Sequence, residues 1–231
     1  MRSHPETLFW DVDTQVDFMR ESGALYVPGA EEIIPNLGRL TEAARMAGVP
    51  VVASADDHEA DDAEISSDPD FSTTYPPHCM RGTPGQEKIP RTRLPGTVLI
   101  GHQALAPEDL AERVAGARDA LVILKKQFDV FTNPNTEPIL DLLRPAKIVL
   151  YGVALDVCNR AAVEGLWSRG HHDLTVVTDA TAALDEERGR ELLEEWQDRG
   201  VELATTDEIL ARLPDVPYVP REDNLAQGAQ A

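Results

Sequence analysis

The sequence predicts an α/β fold, a three-layer sandwich in which a central, mainly parallel β-sheet is flanked by helices. Short apolar runs rich in Val, Ile and Leu alternate with longer amphipathic stretches along most of the chain. Runs without polar alternation are buried on both faces, as strands are in parallel sheets covered by helices. With 231 residues, 42% of them hydrophobic, the chain also holds enough apolar material for one sizeable core. A single domain is therefore expected over residues 1–213.

The elements follow in order. Residues 7–12 read as the first strand, 31–47 as an amphipathic helix and 50–54 as the second strand. The alternation resumes with a strand at 121–124, a short helix at 136–143, a strand at 148–153 and a helix at 158–168. A strand at 174–177, a helix at 186–198 and a short helix at 206–213 complete it. Two segments break the rhythm. Residues 56–96 are irregular and rich in Asp, Ser, Pro and Thr, and an irregular segment that long in a compact domain is usually functional or mobile; function is expected here. Residues 214–231 carry three prolines and no apolar periodicity, which predicts an extended arm or tail.

Composition narrows the function classes. A formal net charge of −20 opposes nucleic-acid recognition, which needs Lys and Arg against a polyanion, and leaves a small molecule as the expected partner. Cys79 and Cys158 are the two cysteines, read as free thiols of a reducing compartment. No apolar run approaches the roughly 20 residues that span a bilayer, so a cytoplasmic protein is expected.

Four groups of residues could carry chemistry. The first strand ends in Asp11, Asp13 and Asp17. Open α/β sheets bind ligands beyond the carboxyl ends of their strands, which makes Asp13 the candidate base. Asp11 and Asp17 are read as solvated loop residues or helix caps. Next, Asp56, His58 and His78 offer one carboxylate and two imidazoles, a set that holds a divalent ion while leaving positions open. By spacing alone, two histidines in an acidic loop fit surface residues better; Asp61, Asp62, Glu64 or Asp68 would add a fourth ligand or merely solvate the loop. Third, Lys125 and Lys126 close the strand at 121–124, where a lysine can hold a nearby thiolate, although in isolation they read as a surface pair. Last, Gly152 to Asn159 turn a strand sharply into a helix. Asp156 is expected to cap that helix and Cys158 to lie in its first turn, where free N–H groups lower a thiol pKa and can receive an oxyanion.

Taken in this order, Asp13-Thr14-Gln15-Val16-Asp17-Phe18, Lys125 with Phe131 behind it, and Gly152-Val153-Ala154-Leu155-Asp156-Val157-Cys158 resemble the isochorismatase-like cysteine hydrolases, a family that includes nicotinamidases. The resemblance covers about residues 7–213 and implies that family's Rossmann-like three-layer fold. It implies Asp13, Lys125 and Cys158 as the catalytic triad, with Cys158 attacking a carbonyl to form a thioester. It also implies a cis peptide between Val153 and Ala154, with the amides of Ala154 and Cys158 as oxyanion donors. The Asp56-Asp57-His58 run and the segment from Tyr75 to Gly85 look like the nicotinamidase branch, implying one divalent ion on Asp56, His58 and His78 that anchors a pyridine nitrogen. Zinc is placed first, with iron or manganese also suited. Phe18 and Tyr75 are candidates to line the substrate ring. The implied reaction is nicotinamide plus water giving nicotinate and ammonia, in a homo-oligomer of pyridine nucleotide metabolism.

This chain departs from the branch at Asp57, where nicotinamidases usually carry an aromatic, and at Tyr75, where they carry tryptophan. An acid beside the pocket would favour a different amide, so a ureido, carbamoyl or maleamate-like substrate stays open. A vinyl-ether hydrolase would not need Cys158, and a non-catalytic binding protein of the same fold would not need the triad.

Overall fold

In the computed structural model, residues 5–213 are described. The expected arm at 214–231 lies outside them. The described residues form seven strands, β1 (Thr7–Val12), β2 (Val51–Asp56), β3 (Thr97–Ile100), β4 (Ala120–Lys125), β5 (Lys147–Val153), β6 (Leu174–Ala182) and β7 (Glu202–Ala204). They make one sheet in the order β3-β4-β2-β1-β5-β6-β7, every neighbouring pair parallel. The helices are α1 (Val16–Met19), α2 (Ala30–Ala47), α3 (Pro107–Gly116), α4 (Thr136–Leu143), α5 (Arg160–Ser168), α6 (Glu186–Asp198) and α7 (Thr206–Ala211). No described helix is long and apolar enough to cross a membrane.

The three layers follow from the two-residue period of the central strands. Leu8, Trp10 and Val12 of β1, with Ile148 and Leu150 of β5, face one core shared with Ile139 of α4, Val163 and Leu166 of α5, and Trp196 of α6. Phe9, Val149 and Tyr151 point the other way, into a second core with Ile34, Leu37 and Leu40 of α2 and Ile209 of α7. Both faces of these strands are thus apolar, which is why their sequences lack alternation.

Helix ends are set locally. Gly48 closes α2 in the left-handed region, at φ 66°. Asp185 caps α6 by accepting from the amides of Glu187 and Arg188, and Thr205 with Glu208 forms a capping box on α7. The expected elements all occur, some with shifted ends: β2 and β4 each reach one or two residues further, to Asp56 and Lys125, β6 runs on to Ala182, and α7 stops at Ala211. The helix expected at 158–168 divides into a π-helical turn, Leu155–Asn159, and α5. Unforeseen were α1, β3, α3 and β7. Each is short or carries little buried surface: β3 lies at the sheet edge with Leu99 exposed, and α3 fully buries only Leu110.

Candidate active site

Asp13 follows β1, Asp56 ends β2, Lys125 ends β4 and Cys158 lies in the turn after β5. These strands are neighbours in the order β4-β2-β1-β5, and the strand order reverses beside β1, so all four residues meet in the crevice at the carboxyl edge of the sheet. Lys125 is only 1% exposed. Its Nζ lies 2.9 Å from Asp13 Oδ2, donates to Asp56 Oδ1 and approaches Cys158 Sγ at 3.7 Å. The ligand atoms of Asp13, Asp56 and Cys158 all fall within 4.8 Å of one another. Lys126, which sequence alone left as a rival, points outward to Glu59 and Asp62, at 2.7 Å from each.

The charges divide the two carboxylates. Burial pushes Asp13 up, and the charge of Asp56 adds to this against the pull of Lys125. Burial acts on Asp56 too, but Lys125, His58 and His78 hold it well below the usual carboxylate range. Lys125 stays charged: burial works against its ammonium, and its anionic neighbours, Asp13 and Asp56 foremost, together more than offset it. Two acids with pKa values driven apart are the arrangement in which one serves proton transfer while the other stays anionic. The expectation of a lowered thiol pKa is not met. Burial pushes Cys158 well up against the pull of Lys125, and Asp13, Asp56 and Glu64 add to the rise. The resting thiol therefore keeps its proton next to Asp13.

Asp56 also joins this group to a second cluster. Asp56, His58, Glu64 and His78 are all buried, with ligand atoms within 4.8 Å of one another. His78 Nε2 lies 3.5 Å from Asp56 Oδ2 and 3.9 Å from Glu64 Oε1; His58 Nε2 lies 3.8 Å and 3.9 Å from the same oxygens. A tetrahedral ion with ligands at about 2.0–2.2 Å sets neighbouring ligand atoms about 3.3–3.6 Å apart, close to these spacings. Asp56 Oδ2 and both ring nitrogens of His58 have no hydrogen-bond partner although buried, a state that a bound cation relieves. His78 Nδ1 lies 2.7 Å from the carbonyl oxygen of Pro76, to which its N–H donates, leaving the Nε2 lone pair free for an ion. The residues present therefore fit a divalent ion. Of the acids considered for a fourth ligand, Glu64 joins the cluster, Asp61 and Asp68 are exposed, and Asp62 pairs with Lys126.

Between the two clusters opens a narrow pocket lined by Phe18, Tyr75, His78, Ala154, Val157 and Cys158, among others. The rings of Phe18 and Tyr75 stand 5.2 and 6.2 Å from that of His78. The Val153–Ala154 peptide is cis.

Several side chains act differently from expectation. Asp57 does not border the pocket; it points away, into Arg81, Gln86 and His102, and although burial opposes this, Arg81 and His102 lower it to about 2. Asp156 does not cap its own helix but accepts from the amides of Leu184 and Asp185, both at 2.9 Å. Asp11 is buried and paired with Lys88 at 3.0 Å. Asp17 ties down the His78 segment by accepting from Cys79 N at 2.7 Å. Gln15 went unnoticed: its side-chain amide bonds both the N–H and the C=O of Asp56, at 2.6 and 2.8 Å. Its place two residues after Asp13 was the available signal.

A parallel sheet with a buried carboxylate, ammonium and thiol converging at its switch point defines an α/β protein equipped for nucleophilic chemistry. The Isochorismatase domain family matches residues 8–208, and the chain belongs to that family of isochorismatase-like amidohydrolases. It is 29% identical over 196 residues to a nicotinamidase/pyrazinamidase of Mycobacterium tuberculosis, covering 83% of this chain and 95% of that protein. It is 27% identical to a probable inactive nicotinamidase of Arabidopsis thaliana, covering 85% and 91%. The crystal structure of the pyrazinamidase of Pyrococcus horikoshii in complex with zinc superposes with a TM-score of 0.69 at 25% identity, covering 87% and 99%.

Proposed function

We propose that the chain is a metal-dependent cysteine amidohydrolase whose substrate is nicotinamide, converted with water to nicotinate and ammonia. The observation that carries this reading is the single ammonium of Lys125 touching Asp13, Asp56 and Cys158, with Asp56 shared by a four-residue cation cluster. In this mechanism Asp13 accepts the Cys158 proton as Sγ attacks the amide carbon. Lys125 holds the forming thiolate against its neighbouring acids. Backbone N–H groups of Ala154 and Cys158 receive the oxyanion. The carbon–nitrogen bond breaks as Asp13 gives its proton to the nitrogen, and ammonia leaves. Asp13 next takes a proton from water, the resulting hydroxide cleaves the thioester, nicotinate departs, and the proton returns to Cys158. Asp56, His58 and His78, with Glu64 beside them, would hold a divalent ion with a position left open, and it would supply a Lewis-acidic anchor for a ring nitrogen. Phe18 and Tyr75 flank the ring and limit its orientation.

The outward turn of Asp57 supports this substrate by keeping its acid out of the pocket, while Tyr75, which lines the pocket, stays a departure from the branch. On this reading residues 1–213 form a single catalytic domain, the protein works in the reducing cytoplasm, where both thiols stay free, and it assembles as a homo-oligomer, which light scattering checks. The name of the Arabidopsis relative favours a second reading, a non-catalytic binder, against which stands the complete Asp13, Lys125 and Cys158 set. Ammonia release from nicotinamide by metal-loaded protein, with Cys158→Ala as control, decides. Turnover lost in the variant is the expected result. Without release, a panel of ureido, carbamoyl and maleamate-like amides separates another substrate from no catalysis at all.

A further inference from the structure

The segments that bring the cation ligands together converge on one side chain that touches neither the pocket nor the cluster. Asp57 is 3% exposed and sits between Asp56 and His58. Side chains alternate along an extended chain, so its carboxylate projects away from theirs. There it accepts a forked pair from Arg81, Nε to Oδ1 at 2.9 Å and a terminal nitrogen to Oδ2 at 2.5 Å. It also takes a bond from Gln86 Nε2 at 2.5 Å, and its Oδ2 lies 2.7 Å from His102 Nε2.

Each partner belongs to a different part of the scaffold. Arg81 follows His78 by three residues, and its backbone N–H donates to His58 O at 2.8 Å, beside the parallel bridge between His58 and Met80. Gln86 leads back to Asp56: its carbonyl oxygen accepts from Gln15 Nε2 at 2.7 Å, and Gln15 in turn grips the Asp56 backbone. His102 lies just beyond the end of β3, and the Asp57 amide itself is bonded to Lys125 O at 2.9 Å, at the end of β4.

We infer that Asp57 is a positioning residue for the cation site, clamping the end of β2, the segment after His78 and the turn after β3 so that Asp56, His58 and His78 present their donor atoms together. The inference rests on the metal reading above. A forked guanidinium–carboxylate pair fixes direction as well as distance, and partners that orient first ligands typically set about 10- to 100-fold in metal affinity. Asp57→Asn keeps the size of the side chain but replaces one acceptor oxygen by a donor facing Arg81 or His102.

The test is zinc affinity, measured by competition with a chromophoric chelator, on wild type, Asp57→Asn, Arg81→Lys and Gly165→Ala, the last a substitution in α5 that loosens the fold away from this clamp. Asp57→Asn is expected to weaken zinc binding about 10- to 100-fold, Arg81→Lys in the same direction by less, and Gly165→Ala not at all. Turnover at saturating metal should recover in Asp57→Asn, with the deficit confined to metal affinity and KM. Zinc binding in Asp57→Asn equal to that in Gly165→Ala overturns the inference. Should Asp57→Asn fail to fold, Arg81→Lys alone decides by the same criterion. Wild-type protein that binds no zinc, iron or manganese overturns the metal reading itself, and does so before any variant is compared.

Discussion

Lys125 is an ammonium taken wholly out of water, a state that costs several kcal/mol unless anions offset it. Asp13 and Asp56 do so, and the same contacts make the lysine the hinge of the proposed chemistry. Lys125→Met keeps an unbranched side chain one atom shorter and removes the charge, leaving two buried carboxylates facing each other beside a thiol. Breaking a buried pair in this way costs about 3–5 kcal/mol. Because Lys125 lowers the Cys158 pKa, its removal moves that pKa further up and shrinks the thiolate fraction at any given pH. Alkylation by iodoacetamide, followed by peptide mass mapping to separate Cys158 from Cys79, should slow in the variant, with its pH profile displaced to higher pH. A Cys158 profile unchanged in Lys125→Met would sink the role assigned to the lysine.

The turn bearing Cys158 runs directly into α5, and α5 is seated by one close approach. A Cβ placed on Gly165 would lie 2.2 Å from Phe131 Cδ2, while the Arg169 guanidinium stacks over that ring at 4.0 Å from its centroid. Gly165→Ala forces Phe131 or the helix to move, an overpacking that costs about 1–3 kcal/mol. Urea denaturation should show the loss as a lower midpoint at unchanged slope; an unaltered midpoint would mean that the ring swings aside freely. Elements like α5 and the central strands were legible because burial on a fixed face or faces imprints a period on the sequence. Elements that bury one or two side chains, β3 and α3 among them, leave no such imprint. At the site, strand ends marked Asp13, Lys125 and Cys158. Moving the end of β2 by two residues, to Asp56, fixes the opposite directions of Asp56 and Asp57, and nothing in the spacing distinguished 54 from 56. Likewise Glu64, Asp61, Asp62 and Asp68 are alike as residues; only the path of the loop, held by backbone bonds between Glu64, Ser66 and Tyr75, turns Glu64 inward. The raised thiol pKa depends on how completely neighbouring elements exclude water, which no local pattern records.

Across the whole molecule, the cation cluster takes Asp56 from the end of β2 and His58, Glu64 and His78 from the loop that follows, so the site exists only when sheet and loop are folded together. A ligand that binds the native state alone stabilises it by RT ln(1 + [L]/Kd), about 2.7 kcal/mol at a hundredfold excess over Kd. For a chain of this size each kcal/mol is worth about 2–4 °C in Tm, so saturating zinc should raise Tm by about 5–11 °C over chelator-treated protein. The net charge of −20 makes a control essential, since scattered surface acids also attract divalent ions. Such diffuse binding is weak, is screened by salt and does not depend on one imidazole. His78→Ala removes a ligand whose other nitrogen is already engaged by Pro76, so in this variant the Tm should lose its steep dependence on free zinc and retain only the shallow, salt-sensitive part. Thermal melts against the logarithm of free zinc at two ionic strengths separate the cases: parallel curves for wild type and His78→Ala would reduce the cluster to an acidic loop, whereas a rise confined to wild type and persisting in salt ties the ion to these four residues.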